Sequence, residues 1–69
     1  MPVEATDPMT DARDAIRAAL AGDWTWRSLA AAVGRSVSSL QRYESGQGRS
    51  EGTARGIAAQ VRLLLDPNP

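Results

Sequence analysis

The sequence predicts an all-α fold, a compact bundle of four short helices. Two observations predict it. Apolar residues recur at three- and four-residue spacing in four separate stretches, each opened by Thr or Ser and closed by Gly or by Asp66-Pro67. Alternating β-branched runs, the mark of strands, are missing throughout. With 69 residues the chain allows one small domain, near the lower size at which a core stabilises itself.

Residues 1–9 carry Pro2 and Pro8, little apolar mass and no periodicity, and read as a flexible N-terminal tail. The first helix is expected to open at Thr10 as N-cap, with Asp11 and Asp14 complementing the positive end of its dipole. Ala12, Ala15, Ile16, Ala19 and Leu20 form one apolar stripe, and Gly22 ends the helix. Thr25 caps a second helix whose buried face is Leu29, Ala30 and Val33, and Gly34 stops it. Ser36 caps a third helix over residues 37–44, with Leu40 and Tyr43 on its inner face. Gly46 and Gly48 make a loop around Gln47 and Arg49.

Ser50 caps a fourth helix with a stripe of Ala54, Ile57, Ala58, Val61 and Leu64 or Leu65. Gly52 and Gly56 lie inside it, and each costs about 1 kcal/mol relative to Ala, so this helix depends on tertiary packing. Asp66 ends it, because a residue before proline avoids the helical region. The expected domain therefore spans residues 10–66, with 67–69 as a C-terminal tail. Its core is Ala, Leu, Ile and Val, joined by Trp24 and Tyr43. So few large side chains, at about 25 cal/mol per Å² buried, predict modest stability.

Composition excludes several functions. Cysteine is absent, which rules out a disulfide framework and thiolate metal sites. Histidine is absent, which removes the usual general base and the usual zinc ligand. Catalysis would rest on carboxylates, hydroxyls and Arg alone, so neither an enzyme, a cofactor, a bound metal nor a small-molecule substrate is expected. The Gly46-Gln47-Gly48 loop lacks the Lys and the preceding strand of a nucleotide-binding loop. No apolar stretch approaches the roughly 18 residues of a membrane span. The first nine residues contain Glu4 and Asp7 and no base, unlike a secretory signal. A soluble, cytoplasmic protein is expected. Twelve Ala, eight Arg and no Lys point to a GC-rich genome, that of a bacterium or its phage.

The net charge of zero conceals a dipolar arrangement. Residues 1–23 hold two Arg against five acidic residues, a net −3, whereas residues 24–65 hold six Arg against two, a net +4. Asp66 restores the balance. Positive charge is thus concentrated in the second to fourth helices and the segments joining them.

Those helices carry a pattern. Thr25, Leu29-Ala30, Val33-Gly34, Ser36, Ser38, Leu40, Arg42, Glu44 and Gly46 resemble the signature of the Cro/phage-repressor helix-turn-helix family, also called xenobiotic-response-element-like. The resemblance covers about residues 10–65. The Leu-Ala and Glu-x-Gly halves are moderately specific together and weak apart. Each matched position has a physical reason. Ala30 is small where the third helix crosses, and Gly34 permits a turn at positive φ. Ser36 accepts from exposed amides at the start of the third helix. Glu44 pairs with a nearby donor or with a loop amide.

The resemblance implies a lambda-repressor-like DNA-binding domain acting in transcription regulation as a small repressor. Its third helix would lie in the major groove of double-stranded DNA, N-terminal residues against base edges. With Leu40 and Tyr43 turned inward, Val37, Ser38, Gln41 and Arg42 are the side chains placed to reach bases. Arg42 suits guanine bidentately, Gln41 an adenine or a phosphate, and Val37 a thymine methyl. The family often carries long amide side chains at the positions of Val37 and Ser38. Backbone contacts fall to Trp26, Arg35, Ser39, Gln47 and Arg49.

Alternatives stay open for two of these residues. Trp26 contacts phosphate, covers the first helix or lies in a dimer interface. Arg42 reads a base or pairs with Glu44 or another carboxylate. Arg13, Arg17, Arg55 and Arg62 are expected to solvate helix surfaces. The implied working form is a homodimer on a pseudo-palindrome, or a monomer beside a partner. Family members often dimerise through a fifth helix. The chain ends at Pro69, so Leu63, Leu65 or Trp26 is the expected dimer surface. No membrane partner is expected. The alternative function is a protein-interaction module that presents the same fold to a polymerase subunit, a toxin or another regulator.

Overall fold

Asp7, rather than Thr10, opens the first helix. Its carboxylate accepts a hydrogen bond from the Thr10 amide at 3.2 Å, and Pro8 fills the first helical position. Proline suits that position because its φ is preset and its missing N–H would have had no partner. Helix α1 therefore runs Pro8–Ala21 in the computed structural model, which describes residues 7–66. The expected start is corrected by three residues: the Asp-Pro pair supplies both a capping acceptor and a helical φ, and Thr10 becomes an interior residue. Pro8 and Met9 belong to the domain, not to a tail, and Met9 packs against the core. The remainder of the expected tail, residues 1–6, and residues 67–69 lie outside the described residues.

The other three helices open at the expected caps. Helix α2, Trp26–Val33, begins with a reciprocal capping box. The Ser28 amide donates to Thr25 Oγ1 at 3.1 Å, and the Thr25 amide donates to Ser28 Oγ at 2.9 Å. Helix α3, Val37–Glu44, and helix α4, Glu51–Leu65, have the simpler one-way cap, Ser36 and Ser50 each accepting at 3.1 Å from the amide three residues on.

Helices α2 and α3 end identically. Gly34 at φ 72° and Gly46 at φ 87° both lie in the left-handed region. The amide after each reaches back five residues, Arg35 to the Ala30 carbonyl at 2.9 Å and Gln47 to the Arg42 carbonyl at 2.8 Å. These are Schellman motifs, which absorb carbonyls the helix would otherwise leave unpaired. A side chain at either glycine would hold the left-handed conformation at about 1–2 kcal/mol. Both ends of α3 are thus fixed by local chemistry.

The helices assemble around α1, which packs chiefly on α4 and also on α3, while α2 packs on α3 and α4. The core joins Ala12, Ala15, Ile16 and Ala19 of α1 to Leu29, Ala30 and Val33 of α2, Leu40 and Tyr43 of α3, and Ala54, Ile57, Ala58 and Val61 of α4. This is the expected inner face of every helix. Leu20 and Trp24 are only half-buried at its edge. Of the two C-terminal alternatives, Leu64 turns toward the core; Leu63 and Leu65 are 74% and 36% exposed.

Two ion pairs tie α1 to its neighbours. Arg17 Nε donates to Glu44 Oε2 at 2.7 Å, and Arg62 pairs with Asp11. Arg17 and Arg62 therefore do more than solvate helix surfaces, because folding brings carboxylates 27 and 51 residues away beside them. The domain is all-α, with four helices and no strand among the described residues. No helix among them is long and apolar enough to cross a membrane.

Candidate functional site

With Leu40 and Tyr43 buried, α3 turns its opposite side outward at the junction of α2, α3 and the start of α4. Three adjoining concavities of about 380, 460 and 580 Å³ open there, and Arg42 lines all of them. The first lies between the N-termini of α3 and α4. Its walls hold Arg35, Ser36, Ser38, Ser39 and Arg42 on one side and Arg49, Ser50 and Thr53 on the other, with Tyr43 between. The second joins Ser38, Gln41, Arg42, Glu44 and Ser45 to Trp26 and Gln47. The third is formed by Arg42, Gln47 and Arg49.

The electrostatics follow from which carboxylates are already engaged. Among the described residues the ion pairs are Arg13 with Asp14, Arg17 with Glu44 and Arg62 with Asp11. Glu44, the acid closest in sequence to Arg42, is taken by Arg17. Arg35, Arg42 and Arg49 form no ion pair among these residues. Three guanidiniums therefore line this surface outside any ion pair, and Glu44, which shares the second concavity with Arg42, is already engaged by Arg17. Two helix N-termini add partial positive charge at the first concavity, since each serine cap satisfies one of the several amides a helix start leaves free. Seryl and threonyl hydroxyls supply further donors. A surface so rich in donors suits a ligand built of phosphates.

Most of the expected site residues are brought together here. Ser38, Gln41 and Arg42 are exposed side by side on α3, and Arg35, Gln47 and Arg49 are exposed around them. Ser39 is half-buried; its backbone amide donates to Ser36 Oγ, and it reaches the first concavity. Trp26 is half-buried at the first position of α2, resting on the core while lining the second concavity. Val37 stands apart. It is half-buried against the core and lines none of the three concavities, so part of its surface is already used in packing.

Sequence reasoning missed one wall of the site. Ser50 and Thr53 were legible as the start of α4 but not as partners of Arg35 and Arg42 across a cleft. Tyr43 was expected only as core. It is buried, yet its hydroxyl accepts the Ser50 amide at 3.3 Å and it lines the first concavity. A residue joining α3 to a loop seven positions later leaves no periodic signal. Among the described residues no group of three or more His, Cys, Asp or Glu is placed to hold a metal ion. Comparison of the chain with protein-family models, curated proteins and solved structures gives no significant match.

Proposed function

We propose that the protein is a small duplex-DNA-binding transcriptional regulator, repressor-like, in which α2 and α3 act as a helix-turn-helix and α3 enters the major groove. The observation that carries this reading is Arg42. It stands on the outward side of a helix fixed at both ends, at the meeting point of three concavities, with Arg35 and Arg49 beside it and no carboxylate engaged to any of the three. Arg42 and Gln41 read base edges, with Ser38 and the exposed part of Val37 beside them. Arg35, Arg49, Ser39, Gln47 and the Trp26 indole hold the sugar-phosphate backbone.

Regulation by such a protein is steric, through occupancy of a site, and requires neither catalysis nor cofactor. One short helix in one groove binds weakly, so two copies on a pseudo-palindrome are the proposed working form.

Titration of labelled duplex DNA over a salt series tests the reading. The logarithm of the binding constant should fall linearly with the logarithm of salt, at a slope of about −0.9 per phosphate neutralised. Arg35 and Arg49, the two guanidiniums assigned to phosphates, give a slope of about −2 per bound copy. Arg49→Ala should weaken all sequences alike and make the slope shallower by about 1. A folded protein that fails to bind any duplex at low salt would overturn the proposal in favour of a protein-binding module.

A further inference from the structure

The segment between α3 and α4 is held by two contacts to a single side chain. The first is the hydrogen bond from the Ser50 amide to the Tyr43 hydroxyl. The second is a close approach at Gly48. A Cβ built on Gly48 would stand 2.7 Å from Tyr43 Cγ and nearer still to Cδ2 and Cε2, inside the ring's own contact distance. Gly48 has no positive φ, unlike Gly46, so a left-handed backbone is not what calls for glycine there. Only the ring beneath it demands a hydrogen there. The ring in turn cannot yield easily, because it is 7% exposed and belongs to the core cluster.

Immediately after Gly48 comes Arg49, and then Ser50, the cap of α4. The chain is therefore pinned to the inner side of α3 on both sides of Arg49. Arg49 and Arg42 then share one concavity with Gln47.

We infer that Tyr43 and Gly48 are positioning residues: the glycine's closeness to the tyrosine ring sets the distance between Arg49 on the loop and Arg42 on α3. The inference rests on the DNA-binding reading and specifies how the backbone contact and the base contact are kept in register. Phosphates and base edges of a duplex stand at fixed separations. A loop lifted away by even one methyl group carries Arg49 out of reach while Arg42 stays in the groove. Gly46 answers to its left-handed φ, whereas Gly48 answers to the tertiary contact with the Tyr43 ring.

The experiment is a double-mutant cycle read by DNA affinity, salt slope and circular dichroism. Gly48→Ala is expected to keep the helical spectrum, bind duplex DNA about tenfold more weakly and show a salt slope shallower by about 1. In an Arg49→Ala background the same substitution should cause no further loss, because the side chain it displaces is already gone. Tyr43→Phe keeps the ring and the core while removing the acceptor of the Ser50 amide. It should weaken binding about threefold, again only while Arg49 is present, and it stands in if Gly48→Ala does not fold. Wild-type affinity in both variants, or losses that simply add to that of Arg49→Ala, would overturn the positioning role and leave DNA binding intact. A wild-type protein that does not bind duplex DNA at low salt overturns both.

Discussion

Leu40→Ala is expected to abolish the cooperative unfolding transition at 25 °C. Leu40 is fully buried, and it is one of only five large side chains in the domain with almost no exposed surface, beside Ile16, Leu29, Ile57 and Val61. The rest of the core is largely alanine, whose methyl groups contribute little area each. Truncating a buried leucine typically costs about 2.7–5 kcal/mol, the larger values arising where the cavity cannot collapse. The Schellman motif and the serine cap fix both ends of α3, so the helix cannot easily slide to close the gap. A core of this size rarely supplies more than about 3–5 kcal/mol in total, and the loss is therefore comparable with the whole stability. Urea titration followed by circular dichroism is the measurement. Leu63→Ala, at a position 74% exposed, should stay within about 0.5 kcal/mol of wild type. A Leu40→Ala protein that melts cooperatively near the wild-type midpoint would contradict the packing described for α3.

Arg42→Ala is expected to produce the largest functional loss. It should weaken binding to the preferred duplex by about 1–3 kcal/mol, the value of a bidentate contact to a guanine, and should relax the preference at one base position. Selection of bound sequences from a random duplex pool, done with wild type and variant in parallel, reads both effects. Arg55→Ala is the matched control. It removes the same charge from an exposed position of α4 that lines none of the three concavities. Its effect should be small and independent of sequence. Equal selections from wild type and Arg42→Ala would show that base recognition is placed elsewhere, without touching the fold.

Much of the architecture was legible because it is written in local chemistry. Thr25, Ser36 and Ser50 each act within three residues of their own position, and Gly34 and Gly46 within five. The inner faces followed from helical periodicity alone. Misplacement occurred where two local signals competed or where the decisive contact was distant. Thr10 and Asp7 are both good caps, and the proline after Asp7 decides between them. Leu64 and Leu65 are adjacent, and only the placement of α4 against α1 and α2 selects the first.

The candidate site shows the same division. That Ser38, Gln41 and Arg42 face outward follows from Leu40 and Tyr43 facing in. That Arg42 forms no ion pair among the described residues does not follow from sequence. Glu44 lies two residues away and could have neutralised it; Arg17, 27 residues away, takes that carboxylate instead. The contact of Gly48 with the Tyr43 ring depends on the path of a loop that no repeat or cap specifies. The zero net charge of the chain is likewise a sum over two faces. The acidic residues of α1 are partly spent on Arg62 and Arg13, while Arg35, Arg42 and Arg49 form no ion pair among the described residues.

The central claim is that the surface around Arg42 is where DNA binds. The most direct test is a two-dimensional amide NMR titration of the ¹⁵N-labelled protein with a duplex of selected sequence. The account predicts shift changes confined to residues 35–42 and 47–53, with Trp26 alongside and with the acidic side of α1, Asp11 to Ala21, unmoved. Saturable changes centred on α1 or on the exposed Leu63 end of α4, with residues 35–53 unaffected, would contradict it.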